Sequence, residues 1–223
     1  MHGYQHEDLS DEQLAALRGL YEPFTDSVRN LVDATLRTTV DAAEIKVAQA
    51  AIEAITERLR ADQLPGSYGV RYSSDGTTRP WGNAVVGLRN PIAPPLSFRR
   101  DPEGRADCDF HLGAAYEGPP GLVHGGVSAL ILDQALGEAC GAGRRPGMTG
   151  GLTIRFLRPT RLGDLRCEGW IDRTEGYKTF AKGTIGDAEG PTVEAEGVFI
   201  VPKWARALFD SAQDQQAQPD RFE

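Results

Sequence analysis

The chain has 223 residues, 40% of them hydrophobic and 25% charged, with a formal net charge of −8 and three cysteines. That length suits one domain with an extension or two small domains, and the acidic balance argues against nucleic acid or an anionic membrane surface as the main partner. Cys108, Cys140 and Cys167 form no CxxC pair and read as reduced thiols, no apolar run is long enough to span a membrane, and residues 1–10 carry no visible targeting signal, so the cytoplasm is the default location.

Ser10 with Gln13 three residues on has the form of a capping box, and Leu14, Leu17 and Leu20 follow at helical spacing, which predicts a short helix. After Pro23, apolar residues recur at Val28, Leu31, Val32, Leu36, Val40, Ala43, Val47, Ala51, Ile55 and Leu59, one stripe over roughly nine turns. The expectation is one long amphipathic helix, or two in line, for packing or dimerisation, with a regulatory or carrier-protein docking arm as the other reading. Residues 65–82 hold Pro65-Gly66, Asp75-Gly76 and Pro80, turn signals without periodicity. They are read as a linker between a helical extension, 1–64, and a domain over 83–202.

Residues 83–88 fit a first strand, closed by Asn90-Pro91 and Pro94-Pro95. Over 105–112 the chain alternates, placing Cys108, Phe110 and Leu112 on one face and Asp107, Asp109 and His111 on the other. The Cys108/His111 spacing looks like half of a metal site, but the alternation sends the two side chains apart. The centre of the chain is the segment from Val123 to Gly137: His124, Gly125 and Gly126 precede a helix-length run of Val127, Leu130, Ile131, Leu132, Ala135, Leu136, Ala139 and Cys140. A helix that is apolar on nearly every side belongs in a core. The carboxylate within it, Asp133, would be costly to bury unpaired and is therefore a functional candidate.

Beyond the loop at Gly141–Gly147, Leu152, Ile154 and Phe156 alternate up to Pro159, and Leu162-Gly163-Asp164 turns the chain. Strand-like runs over 165–173, 177–185 and 192–201 follow with short turns between them. Strands joined so tightly are antiparallel neighbours. The simplest burial wraps this sheet around the apolar helix, an α+β architecture. The tail, 203–223, lacks a second apolar stripe and is expected to fray.

The sequence Gly121-Leu122-Val123-His124-Gly125-Gly126, with Asp133 nine residues after the histidine, then Ile154-Arg155-Phe156-Leu157-Arg158-Pro159 and Gly163-Asp164, resembles the hotdog-fold acyl-CoA thioesterases of the phenylacetate-degradation and thioesterase-superfamily-member kind. The resemblance covers roughly 83–202. It implies a homodimer or dimer of dimers that hydrolyses an acyl-CoA thioester without a metal or bound cofactor. It makes Asp133 the nucleophile or general base, gives the Gly125 backbone N–H to the thioester carbonyl, lets His124 shape that turn, and sets Thr149 near the acid and its water. Val123 and Gly126 are candidate substrate contacts. The chain departs from the family in one respect: Glu117-Gly118-Pro119-Pro120 stands where relatives often carry an asparagine, and Glu117 is the candidate replacement.

These residue types suit the chemistry. A helix start presents free N–H groups and the positive end of a dipole to a developing oxyanion, and a carboxylate delivers attack or activates water. Asp133 lies eight residues beyond Gly125, about 12 Å along a helix at roughly 1.5 Å per residue. The two cannot both reach one carbonyl carbon, so a shared site needs a second, oppositely directed copy of the helix in a symmetric dimer. Arg155, Arg158, Arg161 and Lys178 could meet coenzyme A phosphates, although strand edges carry such charges routinely. Ser128 does not fit a G-x-S-x-G elbow. A thioesterase for carrier-protein-bound acyl groups and a non-catalytic acyl-CoA-binding module are the alternative functions.

Overall fold

The chain divides after Pro94 into two units, Met1–Pro94 and Pro95–Glu223, in a computed structural model that describes residues 3–217. In the first unit, β1 (Tyr4–His6) leads to α1 (Asp11–Arg37), α2 (Ala42–Arg60), β2 (Val70–Tyr72) and β3 (Thr78–Arg79). The capping box forms as expected, the Ser10 hydroxyl accepting from the Gln13 N–H and the Gln13 side chain accepting from the Ser10 N–H. The helix does not stop near Pro23, however; it runs through it. The break comes at Thr38-Thr39-Val40, three β-branched residues in a row, after which the Asp41 carboxylate accepts from the N–H groups of Ala43 and Glu44 and starts α2.

Two further expectations change here. The stretch 65–82, read as a linker, carries β2 and β3, and β2 pairs in parallel with β1 and antiparallel with β3. Strands of three and two residues are too short to show a period. The strand expected over 83–88 is absent: the Asn83 side chain accepts from the N–H groups of Val85 and Val86, at 2.7 and 3.1 Å, and folds the segment into turns. The Arg89 guanidinium lies 3.9 Å from the ring centre of Tyr21 and 5.1 Å from that of Tyr68, joining α1 to the loops that follow it.

The second unit contains β4 (Arg99–Asp101), β5 (Arg105–Leu112), α3 (Gly125–Ala142), β6 (Met148–Phe156), β7 (Gly163–Glu175), β8 (Lys178–Asp187), β9 (Gly190–Ile200) and α4 (Arg206–Ala217). Its six strands form one sheet in the order β4-β5-β7-β8-β9-β6, and α3 packs on one face of it. This is the expected hotdog arrangement. The alternation in β5 holds, with Ala106, Cys108, Phe110 and Leu112 buried under α3. The helix buries Ser128, Ile131, Leu132, Ala135, Leu136, Ala139 and Cys140. Where a fraying tail was expected, α4 forms over 206–217, with Phe209 edge-on to Tyr177 and Tyr177 donating to Asp210 at 3.0 Å; residues 218–223 lie outside the described range.

The short link from β6 to β7 does not join neighbours. Instead β6 pairs with β9 at one edge of the sheet, while β7 sits between β5 and β8. The connection therefore crosses the start of α3, where the Thr160 carbonyl accepts from the Val123 N–H at 2.9 Å and the Gly121 carbonyl from the Leu162 N–H at 3.1 Å. The helix also approaches the sheet very closely. A Cβ on Gly169 would stand 2.7 Å from the Ala135 carbonyl oxygen, and one on Gly183 or Gly197 would stand 2.9 Å from the Leu136 methyl groups. All three cysteines are free and buried; burial pushes the Cys108 and Cys140 thiols up to about 12 and Cys167 well above its ordinary value.

Two stability results follow. Gly169→Ala sets a methyl group against helix backbone that cannot yield without moving α3, so a denaturant melt should show a loss of about 1–3 kcal/mol, whereas Gly141→Ala, on the same helix with nothing within 4 Å, should leave stability unchanged or raise it. The turn between β8 and β9 is held by Arg158, whose guanidinium donates to Asp187 at 2.8 Å and to the Gly190 carbonyl at 2.7 Å. That pairing, with the Glu189 N–H, holds the Asp187 carboxyl at about 2, below its ordinary 3.8. A lowered folded-state value means the contribution is full above 3.8 and is lost as pH falls through about 2. The stability difference between wild type and Arg158→Met should therefore be constant above that range and shrink within it.

Candidate active site

The start of α3 is built by His124. Its backbone is extended, at φ −62° and ψ 132°, and its ring Nδ1 accepts from the Gly126 N–H at 3.0 Å, capping the helix. Nδ1 is thus the unprotonated nitrogen and Nε2 carries the hydrogen. The Gly126 N–H is spent inside this cap, so Gly126 contributes backbone shape there. Gly125, the first helical residue, has no acceptor for its N–H within the helix. It lines a cleft of about 390 Å³ with Val123, Ser128, Phe156, Arg158 and Thr160.

A missing side chain makes the cleft. A Cβ at Gly125 would meet the Phe156 ring at 3.1 Å, so glycine allows the aromatic ring to lie against the helix start. Phe156 itself is 57% exposed. Neither it nor Ser128 was singled out for the cleft by sequence; the signal available was the alternation of β6, which puts Leu152, Ile154 and Phe156 on the helix side. Glu117 takes no part in the cleft lining. Its carboxylate accepts from the Gly121 N–H at 2.6 Å and closes the loop before the helix.

Two turns further along α3, Asp133 is half-buried and accepts from the Thr149 hydroxyl, Oγ1 to Oδ1, at 2.8 Å. Simple alternation along β6 would turn Thr149 to the opposite face from Leu152. A bulge between Thr149 and Gly151 changes the register, pairing Thr149 with the buried Phe199 and Leu152 with Gly197. Gly150-Gly151 makes that bulge accessible, and the extra residue aims the hydroxyl at the helix. Oδ2 of Asp133 is left without a partner among the described residues.

The structure thus joins Asp133 to Thr149, and Gly125 to Val123 and Arg158, but it keeps the two groups apart within one chain. Arg155 belongs to neither. It points from the outer face of the sheet, where its guanidinium pairs with Glu194. Arg158 lines the cleft with its guanidinium already engaged by Asp187. Arg161, beside the cleft through the bridge between Leu122 and Arg161, carries no ion pair among the described residues. Among the described residues no group of three or more histidines, cysteines and acids is placed to hold a metal ion.

Comparison with known proteins gives consistent results. The thioesterase superfamily profile matches residues 120–194, a span that includes the helix start, Asp133 and Thr149. The chain is similar to acyl-coenzyme A thioesterase THEM4 of Bos taurus, 36% identical over 106 residues that make up 46% of this chain and 44% of that protein. With THEM4 of Xenopus laevis it is 32% identical over 110 residues, 46% of this chain and 48% of the relative. It spans about half the length of the curated relatives it matches. A crystal structure of a thioesterase superfamily protein is 34% identical and superposes with a TM-score of 0.73, covering 81% of this chain and 90% of that one. With sequence and backbone agreeing over nearly the whole of that structure, the chain belongs to the thioesterase superfamily.

Proposed function

We propose that this protein hydrolyses an acyl-CoA thioester, at sites completed by a second copy of the chain. The observation that carries the reading is the hydrogen bond from Thr149 to Asp133, which holds one carboxylate oxygen and leaves the other open on the helix side of β6. The superfamily membership supports hydrolysis, and the name of the curated relatives supports the acyl-CoA substrate.

The second copy is called for by distance and by the sheet edge. Gly125 and Asp133 stand about 12 Å apart along α3. Strand β6 is nine residues long and lies at the sheet edge, with Met148 and Phe156 exposed at its two ends. A long apolar edge invites another strand. Pairing β6 antiparallel with β6 of a second copy reverses one strand on the other, so the end bearing Thr149 meets the end bearing Phe156. Each carboxylate then stands near the other copy's helix start.

In such a site the thioester carbonyl oxygen accepts from the Gly125 N–H at the positive end of the α3 dipole. Asp133 either takes a proton from water as the water attacks the carbonyl carbon, or attacks directly and forms an anhydride that water opens. The tetrahedral intermediate expels the coenzyme A thiolate, which takes up the proton, and the products are the free acid and the thiol. Thr149 keeps the carboxylate oriented for this step.

Release of free thiol from a panel of acyl-CoAs tests the reading. Wild type should turn over at least one member, Asp133→Asn should lower kcat by about 100- to 10,000-fold, and Thr149→Val should lower it less while leaving the fold intact. No turnover by wild type would favour a binding module, turnover only of carrier-protein thioesters would move the substrate, and undiminished turnover by the aspartate variant would remove Asp133 from the chemistry.

A further inference from the structure

None of the 19 residues of α2 is buried. Yet the helix carries Ile45, Val47, Ile52, Ile55 and Leu59 at exposures of 39% to 62%, and all of these but Val47 fall on one seam. Most helical stability in proteins comes from packing an amphipathic face against something. The positions Ile45, Ala48, Ile52, Ile55 and Leu59 step alternately by three and four, the two-heptad seam of a coiled coil.

The residues flanking the seam point to the occupant. Glu44, Ala51 and Arg58 recur seven apart along one flank, and Gln49 and Thr56 along the other. Among the described residues neither Glu44 nor Arg58 takes part in an ion pair, whereas Arg60 is engaged by Glu57 at 3.0 Å. Glu44 and Arg58 lie at equal distances on either side of Ala51, the midpoint of α2. The helix is therefore complementary in charge to its own reversed copy.

We propose that α2 packs antiparallel on α2 of a second copy of this chain, with the two Ala51 positions at the two-fold axis and each Glu44 against the partner's Arg58. The isoleucines and Leu59 then interleave along the seam, and the helix dipoles oppose one another favourably. A parallel pair would set Glu44 against the partner's Gln49 and form no charge pair at the flanks. A lipid surface fits less well, because Glu44, Glu53 and Glu57 balance Lys46, Arg58 and Arg60 and leave no basic face for anionic headgroups. This surface is independent of the proposed hydrolysis and of the pairing of β6.

Disulfide trapping in the full chain tests it locally. With a mild added oxidant, Ala51→Cys should convert most of the protein to a dimer on a non-reducing gel, and adding Ile52→Glu should abolish the product. Wild type should stay monomeric on the gel, because its three thiols are buried. Glu44→Cys and Arg58→Cys should each remain unlinked alone and link when combined in one chain. A monomeric Ala51→Cys protein, or self-linking by Glu44→Cys alone, would overturn the antiparallel pairing. Thiol-release activity of the same variants reports separately on the hydrolysis, so the two readings fail independently.

Discussion

The close approach of α3 to the sheet is the constraint on which the rest of the second unit depends. Gly169, Gly183 and Gly197 stand on three adjacent strands and leave the space that Ala135 and Leu136 fill. A side chain at Gly169 would meet the helix backbone itself, and one at Gly183 or Gly197 would displace Leu136. The helix start and Asp133 share one rigid rod, so their separation is fixed by helix geometry and their distance from β6 by this contact. The link from β6 to β7 then crosses the open end of the helix and walls the cleft around Gly125.

Much of this was legible in the chain. The His124-Gly125-Gly126 start, the all-round apolar helix, the alternation of β5 and the strand-like runs of β7, β8 and β9 were read correctly because each carries its signal locally. The placement of β6 beside β9 was not, since a six-residue link looks like a tight turn whether or not its strands are neighbours. Nor was the bulge at Thr149: two consecutive glycines permit it, but the register that turns the hydroxyl toward Asp133 is set by β9. In the first unit, Pro23 looked like a helix end and proved to be interior, because tertiary contacts of Tyr21, Thr25 and Arg29 hold α1 across it. Asp41 was the stronger signal and was overlooked.

The candidate site divides along the same lines. Residues at the helix start were visible from the motif and the chemistry of a helix N-terminus; the structure places Val123 and Gly125 in the cleft lining and uses His124 and Gly126 in the cap behind it. The cations were not separable by sequence: Arg155 and Arg158 lie three residues apart, yet the first serves the outer face of the sheet and the second ties down a turn at the cleft. Only packing distinguishes them. What one chain holds is a helix start with a free Gly125 N–H and a carboxylate oriented by Thr149, set apart along α3.

Mixing two inactive variants tests that division most directly. Gly125→Pro removes the N–H at a helical position that favours proline, after a residue already extended, so α3 should persist. Co-expressed with Asp133→Asn, it should form heterodimers in which, for a site shared between copies, one site inherits both intact residues and the other both defects. Thiol release should recover to about a quarter of wild type for random pairing in a symmetric dimer. A mixture no more active than its parents would contradict a site shared between two copies.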